Sequence, residues 1–285
     1  MMTDTITDKI TNTLTNQIAQ TKLKLIAVSD LHVDEEGQIN TIAYETIDDI
    51  LKIDADILLV GGDIAKSKKI LSQSLNILKQ FKGLKLAYLG NHELESITES
   101  KLGTHYYELE KIFEENNFHL LDSKPYIYEG IDSNIGFVGN SGFFDFSLYR
   151  EENIQKAENN KKKALQAYYI KYGSENTTPE AFTEHCISRI REDISKIEDK
   201  CDQIILGIHH VGFSDQLKYG HSELFNYKNI FMGSKKLAEL YNHPKIKIGF
   251  CGHNHRSGKF RYNNCDVYNI SSDNNKPYTE LELQI

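Results

Sequence analysis

The 285-residue chain has only four cysteines, Cys186, Cys201, Cys251 and Cys265, and no CxxC pair among them. Their spacing is not that of a disulfide framework, so they read as reduced thiols in a cytoplasmic protein rather than staples or zinc ligands. No apolar run is long enough to cross a bilayer, so no membrane span is expected. Met1 to Gln20 has neither the basic nor the apolar region of a secretory signal. Proline-rich linkers and internal repeats are missing, which favours one continuous domain. Positive charge is in short supply, with 33 Lys and Arg against 41 Asp and Glu and a net charge of −8. No extended basic stripe is seen, which counts against a nucleic-acid partner. Neither a G-x-S-x-G elbow nor a P-loop occurs, so a serine nucleophile and a Walker-type phosphate cradle lack support. What remains is an acidic globular protein, 39% hydrophobic and 26% charged, long enough for a substantial core.

Residues 1–20 carry Ile6, Ile10, Leu14 and Ile18 at fourfold spacing. They could form an amphipathic helix, but an N-terminal arm is the simpler expectation. Beyond them, short apolar runs end in polar clusters. Leu23–Ser29 precedes Asp30, Ile57–Val60 precedes Gly61-Gly62-Asp63, and Leu84–Leu89 precedes Gly90-Asn91-His92. Helical patterns fall between them at about 40–52 and 67–82, the alternation expected of parallel βαβ units. Another helix is expected at about 104–116, with strands near 118–121 and 135–139. Residues 143–200 are rich in Lys, Glu, Asn and Tyr, and helical patterns at about 151–171 and 179–198 read as an insertion or cap. Lys161-Lys162-Lys163 within it fits a solvated face. Strands resume at Ile204–Ile208, Ile246–Phe250, Lys259–Tyr262, Asp266–Ile270 and Thr279–Gln284. In open parallel sheets ligands bind beyond the carboxyl ends of the strands, where these polar clusters fall.

Five clusters end such runs: Asp30-Leu31-His32, Gly62-Asp63, Gly90-Asn91-His92-Glu93, His209-His210 and Gly252-His253-Asn254-His255. A lone aspartate after a strand is usually a helix cap, and a lone buried histidine is usually a core residue. The set is different, because six of the eleven histidines lie in it. Asp-x-His and His-x-His would put alternate side chains on one side of an extended segment. Two carboxylates, four or more imidazoles and an amide oxygen exceed the needs of one tetrahedral zinc. They suit two divalent ions about 3.5–4 Å apart, bridged by a carboxylate. The mixed N/O donors fit Mn, Fe, Zn or Co. The glycines before Asp63, Asn91 and His253 would allow sharp turns and room for an oxyanion.

In order and spacing, from residue 23 to residue 270, this series resembles the calcineurin-like metallophosphoesterase superfamily. The resemblance implies a four-layer α-β-β-α sandwich of two facing mixed sheets flanked by helices, here with a helical insertion. It implies that Asp30, His32 and His255 hold one metal, that Asn91, His209 and His253 hold the second, and that Asp63 bridges both. His92 would stabilise the phosphoryl transition state or protonate the leaving oxygen, with Glu93 orienting or supporting it. His209 rather than His210 is the implied ligand, although Val211-Gly212 stands where many members have prolines. The chemistry implied is in-line attack on phosphorus by a hydroxide bridging two cations, with Asn91 helping to stabilise developing charge.

The expected substrate is a small-molecule phosphate mono- or diester. Arg256, next to the His253/His255 cluster, is a candidate contact for its phosphate, as are His210 and His221. The stretch Phe213–Ser234, with Tyr219, Phe225, Tyr227 and Met232, would border the site, either as packing or as a surface for a base or sugar. Gly139–Asp145 could form part of the rim. A nuclease on the same scaffold and a catalytically silent binding platform are the rival readings.

Overall fold

The computed structural model describes residues 22–35, 38–95, 102–172, 177–220, 222–273 and 277–285. The expected N-terminal arm, residues 1–20, lies outside them. In chain order the strands are β1 (Lys22–Val28), β2 (Asp34–Glu35), β3 (Gln38–Ile39), β4 (Ile57–Val60), β5 (Leu84–Ala87), β6 (His119–Leu120) and β7 (Tyr126–Glu129). They continue as β8 (Asn134–Asn140), β9 (Gln203–Ile208), β10 (Ile246–Cys251), β11 (Gly258–Tyr262), β12 (Cys265–Asn269) and β13 (Thr279–Gln284).

The twofold alternation within β1 organises the layers. Leu23, Leu25 and Ala27 point to one side, where they share a core with Ile57 and Leu59 and with Phe137, Ile205 and Phe250. Ile26 and Val28 point the other way, against Ile47, Leu71, Leu75 and Phe113. One five-stranded sheet runs β13-β1-β4-β5-β6, and a six-stranded sheet runs β11-β12-β10-β9-β8-β7. Both are mixed, with β13, β11 and β7 as antiparallel edges. Helices Thr41–Lys52, Lys68–Leu78 and Leu102–Glu115 pack on the outer face of the first sheet. Each buries a stripe at helical spacing, such as Ala43, Ile47 and Ile50. Asn40 starts the first of them by accepting the Ile42 and Ala43 N–H groups. The expected four layers are therefore present.

The stretch 143–200, expected to be an insertion or cap, supplies two long helices. Helix Pro179–Ile197 connects the parallel neighbours β8 and β9, and buries Ile187, Ile190, Ile194 and Ile197 with Val138 and Leu206 of the second sheet. It forms the outer layer of that sheet, as parallel neighbours require of a crossover. In helix Ile154–Tyr172, Ala164 and Tyr168 pack with Phe143, Phe144 and Phe182. Residues 161–163 are exposed on it, as expected.

Register sets where the chemistry falls. Val28 lies opposite Val60, and Val60 opposite Ala87, so the segments after β1, β4 and β5 leave the first sheet at one edge. In the second sheet Asn140 pairs with Ile208, and Cys251 with Asn269. The Ser29 N–H donates to the Ile270 carbonyl at 2.9 Å, joining the two sheets at this edge.

Tyr88 lies at the centre of the inter-sheet core, fully buried, and its hydroxyl has no hydrogen-bond partner among the described residues. An unpaired hydroxyl in an apolar interior costs stability. Tyr88→Phe should therefore leave the fold intact and stabilise it by about 1 kcal/mol in urea unfolding. A comparable loss of stability would show that the hydroxyl is bonded.

Candidate metal centre

Three of the five motif segments turn sharply where they leave the sheets. Asp30 (φ 56), His32 (φ 44), Asp63 (φ 53), His253 (φ 69) and His255 (φ 51) all adopt left-handed backbone. The side chains converge because of these turns, not because Asp-x-His and His-x-His continue as pleated strand. Each such residue costs roughly 1 kcal/mol or more, and persists only where its surroundings enforce it. Here the turns are cross-linked through the main chain. Asp30 N donates to Gly62 O and His32 N to Asp63 O, both at 3.0 Å, and Gly252 N to His209 O at 2.9 Å.

Gly62 (φ 83) makes the sharp turn expected of it, whereas Gly90 and Gly252 have a different task. A Cβ on Gly90 would lie 2.1 Å from Asp63 Oδ1, and one on Gly252 would lie 2.5 Å from Asp30 Oδ2. They make room for the protein's own carboxylates rather than for an oxyanion.

Each carboxylate is held by backbone on one side and faces imidazoles on the other. Asp30 accepts the His253 N–H at 3.0 Å and the Ser271 hydroxyl at 2.9 Å, while its Oδ1 lies 3.4 Å from His255 Nε2. Asp63 Oδ1 accepts the His92 N–H at 2.8 Å, while Oδ2 lies 3.2 Å from His209 Nε2 and 3.9 Å from His32 Nε2. Burial opposes the charge on both aspartates. The surrounding imidazoles, His209 chief among them for Asp63 and His32 for Asp30, overcome this and hold both below the usual carboxylate range.

Carbonyl contacts fix which ring nitrogens face inward. His209 Nδ1 donates to Gly61 O at 2.8 Å, so its Nε2 faces Asp63. Burial disfavours a charged ring there, yet Asp63 outweighs it and holds the imidazolium up to about 10. A divalent cation would compete for that same lone pair. His253 Nε2 donates to Phe231 O at 3.1 Å, which leaves Nδ1 as its acceptor. Burial, with His209 alongside, pushes its pKa down to about 4. His32 Nε2 and His255 Nε2 stand 3.0 Å apart. Asn91 donates its amide N–H to Glu95 Oε1 at 2.9 Å, and its buried amide oxygen has no hydrogen-bond partner among the described residues.

These donors fit a metal site. Ligand atoms of Asp30, His32 and His255 lie within 4.8 Å of one another, as do those of Asp63, His209 and His253, and of His32, Asp63 and His92. Atoms bound at about 2.1 Å and at right angles around one cation would be about 3 Å apart. An unpartnered buried amide oxygen beside crowded lone pairs is costly without a positive centre to satisfy it.

The remaining expected residues sort as follows. Asn91, His92 and Glu93 open a short helix, Asn91–Glu95, rather than a loop. The His92 ring stands edge-on to His32 at 4.5 Å. Glu93, expected to support His92, accepts the N–H groups of Asp63, Ile64 and Gly90 at 2.7–2.9 Å, and so shapes the turn that carries Asp63. His210 is buried, with Nδ1 on Ser141 O at 2.9 Å and its ring 4.2 Å from that of His253. Burial disfavours its charged form and lowers its pKa. His221 lies outside the described residues. Ser271, Glu95 and the Phe231 carbonyl were not foreseen. Only Glu95 left a signal, being one helical turn after Asn91.

Two cavities adjoin the cluster. One of about 410 Å³ is lined by His253, His255, Arg256, Lys218, Lys228 and Phe225 among others. The other, about 230 Å³, lies between Asn91, His210 and His253 and the aromatic wall of Phe144, Tyr168 and Phe231. From Phe213–Ser234, Phe225 and Met232 thus line a cavity, while the Tyr219 hydroxyl donates to Leu148 O at 2.8 Å as packing.

The family model for calcineurin-like phosphoesterases matches residues 23–257. No curated protein shows significant similarity to the chain. Among solved structures, the phosphopantetheinyl hydrolase PptH from Mycobacterium tuberculosis shares the fold with a TM-score of 0.67 at 18% identity, over 90% of this chain and 91% of that one. TT1561 of Thermus thermophilus superposes with a TM-score of 0.53 at 12% identity, over 88% and 90%.

Asp122 fixes the frame on which two of the segments rest. It accepts the Leu89 N–H at 2.8 Å and the Ser141 N–H at 3.0 Å, tying the end of the first sheet to that of the second. Burial raises its pKa to about 7 from 3.8. The folded chain therefore holds a proton that the unfolded chain releases, and this contribution is lost as pH rises through about 7. Asp122→Asn, which cannot titrate, should gain on the wild type by on the order of 3 kcal/mol between pH ~4 and ~7 in urea unfolding. A difference between the two proteins that does not change with pH would refute the assignment.

Proposed function

The chain belongs to the calcineurin-like phosphoesterase family, and from that premise we propose that its clustered donors hold two divalent cations and cleave small-molecule phosphate esters. Membership makes it a metal-dependent phosphoesterase. Asp30, His32 and His255 hold one cation, Asn91, His209 and His253 hold the other, and Asp63 lies between them. The observation that carries the reading is Asp63 itself: one oxygen is fixed by the His92 N–H, while the other lies 3.2 Å from His209 Nε2 and 3.9 Å from His32 Nε2. The N/O donors suit Mn, Fe, Zn or Co. When bound, such cations activate water and neutralise charge on the phosphoryl group.

The chain's own residues do the rest. Gly61 and Phe231 carbonyls set the tautomers of His209 and His253, so that each offers one defined nitrogen. Glu95 orients the Asn91 amide so that its oxygen is the free acceptor. His92, beside His32 and above Asp63, stabilises the transferring phosphoryl group or gives a proton to the leaving oxygen. Cavities of about 410 and 230 Å³ suit a small molecule, mono- or diester. No described helix is long and apolar enough to cross a membrane. The four cysteines are buried and unbridged, which supports the reducing cytoplasm as the location.

Metal-stripped protein should not hydrolyse p-nitrophenyl or bis-p-nitrophenyl phosphate, and should recover on adding Mn, Fe(II), Zn or Co. His92→Ala should lower kcat by about a hundredfold or more while keeping its metal, and Asp63→Asn should lose nearly all turnover. Full activity after stripping, or in Asp63→Asn, would overturn the proposal. Bound metal with no turnover of any ester would favour a silent binding platform, and metal-dependent cutting of single-stranded DNA would favour a nuclease.

A further inference from the structure

The larger cavity differs in charge from the chain around it. The protein carries a net −8, yet the cavity lining includes Lys218, Lys228 and Arg256 and, among the described residues, no carboxylate. None of these three cations pairs with an acidic side chain among the described residues, whereas Lys259 and Arg261 nearby both pair with Asp266. Arg256 is also set in place. Its Nη1 donates to the carbonyl of fully buried Gln216 at 3.0 Å, and its main-chain N–H to Asn254 Oδ1 at 3.1 Å. Asn254 donates to that same Gln216 carbonyl at 2.7 Å and accepts from Asn269. The guanidinium is thus tied to the Gln216 main-chain carbonyl, and the main chain of Arg256 to the Asn254 side chain, one residue beyond His255. Leu217, Phe225 and Met232 contribute apolar surface to the same lining.

A guanidinium fixed in advance, with two lysines and an apolar wall, recognises an anion attached to an organic body. We propose that this cavity is a subsite for a second phosphate, so that the preferred substrates carry one phosphate at the metal cluster and another held by Arg256, Lys218 and Lys228. The proposal rests on the phosphoesterase reading for the first of these positions. It assigns to Lys218 and Lys228 a role that no motif marks.

Competition against p-nitrophenyl phosphate hydrolysis tests it, with adenosine 5′-monophosphate and adenosine 3′,5′-bisphosphate as probes. The wild type should bind the bisphosphate about tenfold or more tightly over the monophosphate, and salt should compress that ratio. Lys218→Ser with Lys228→Ser, both exposed, should lower the ratio, and adding Arg256→Gln should bring it to about one. A wild-type ratio near one, or a preference that survives all three substitutions, overturns the subsite. Calorimetric titration gives the same comparison without turnover. A bisphosphate preference there, in a protein that hydrolyses nothing, would sustain the subsite and sink the phosphoesterase reading.

Discussion

Asp63 is 1% exposed and sits between His209 and His32, and the architecture of this edge of the molecule is arranged around keeping its charge there. A buried carboxylate is tolerable only when it is paired and hydrogen-bonded. One oxygen therefore takes the His92 N–H, the main-chain N–H of Asp63 goes to Glu93, and Gly90 stays without a side chain so that the carboxylate fits. Glu93 is itself buried, and burial raises its pKa, so its backbone hydrogen bonds are what make it tolerable. Removing any of these parts would leave the others without a reason.

The strain gathered here depends on the rest of the fold. Five candidate ligands have left-handed backbone, a conformation that isolated turns of these residues would abandon. The two-sheet core supplies the rigidity, because the paired register of β1, β4 and β5 fixes where each turn begins. Main-chain bonds from Asp30 to Gly62 and from Ser29 to Ile270 then hold one turn against the next across the edge. Such strain is common where a protein must present donors in a defined geometry before its ligand arrives.

Much of this was legible in the sequence. The apolar runs marked the central strands, the helical stripes marked the flanking layer, and the motif order marked the residues that converge. Other features had no local signature. Left-handed turns at Asp30 and His32 are imposed by partners far away in the chain, so alternation suggested extended backbone instead. Glu93 was read through its neighbour His92, whereas its carboxylate serves the N–H groups of a turn 30 residues earlier. Helix Pro179–Ile197 looked like part of an insertion because its composition is polar, yet its buried stripe covers the second sheet. The hairpin of β7 with β8 is a local pairing across a four-residue loop, and the strand-favouring Tyr126–Glu129 was not marked as a strand. Lys218 and Lys228 reach one cavity only through the path of the chain around Gln216.

The central claim is that seven side chains from five strand ends together hold two cations with Asp63 between them. Anomalous diffraction from crystals grown with manganese tests this most directly. The account predicts two peaks about 3.5–4 Å apart, one beside Asp30, His32 and His255, the other beside Asn91, His209 and His253, with Asp63 touching both. A single peak, or peaks away from these residues, would contradict it.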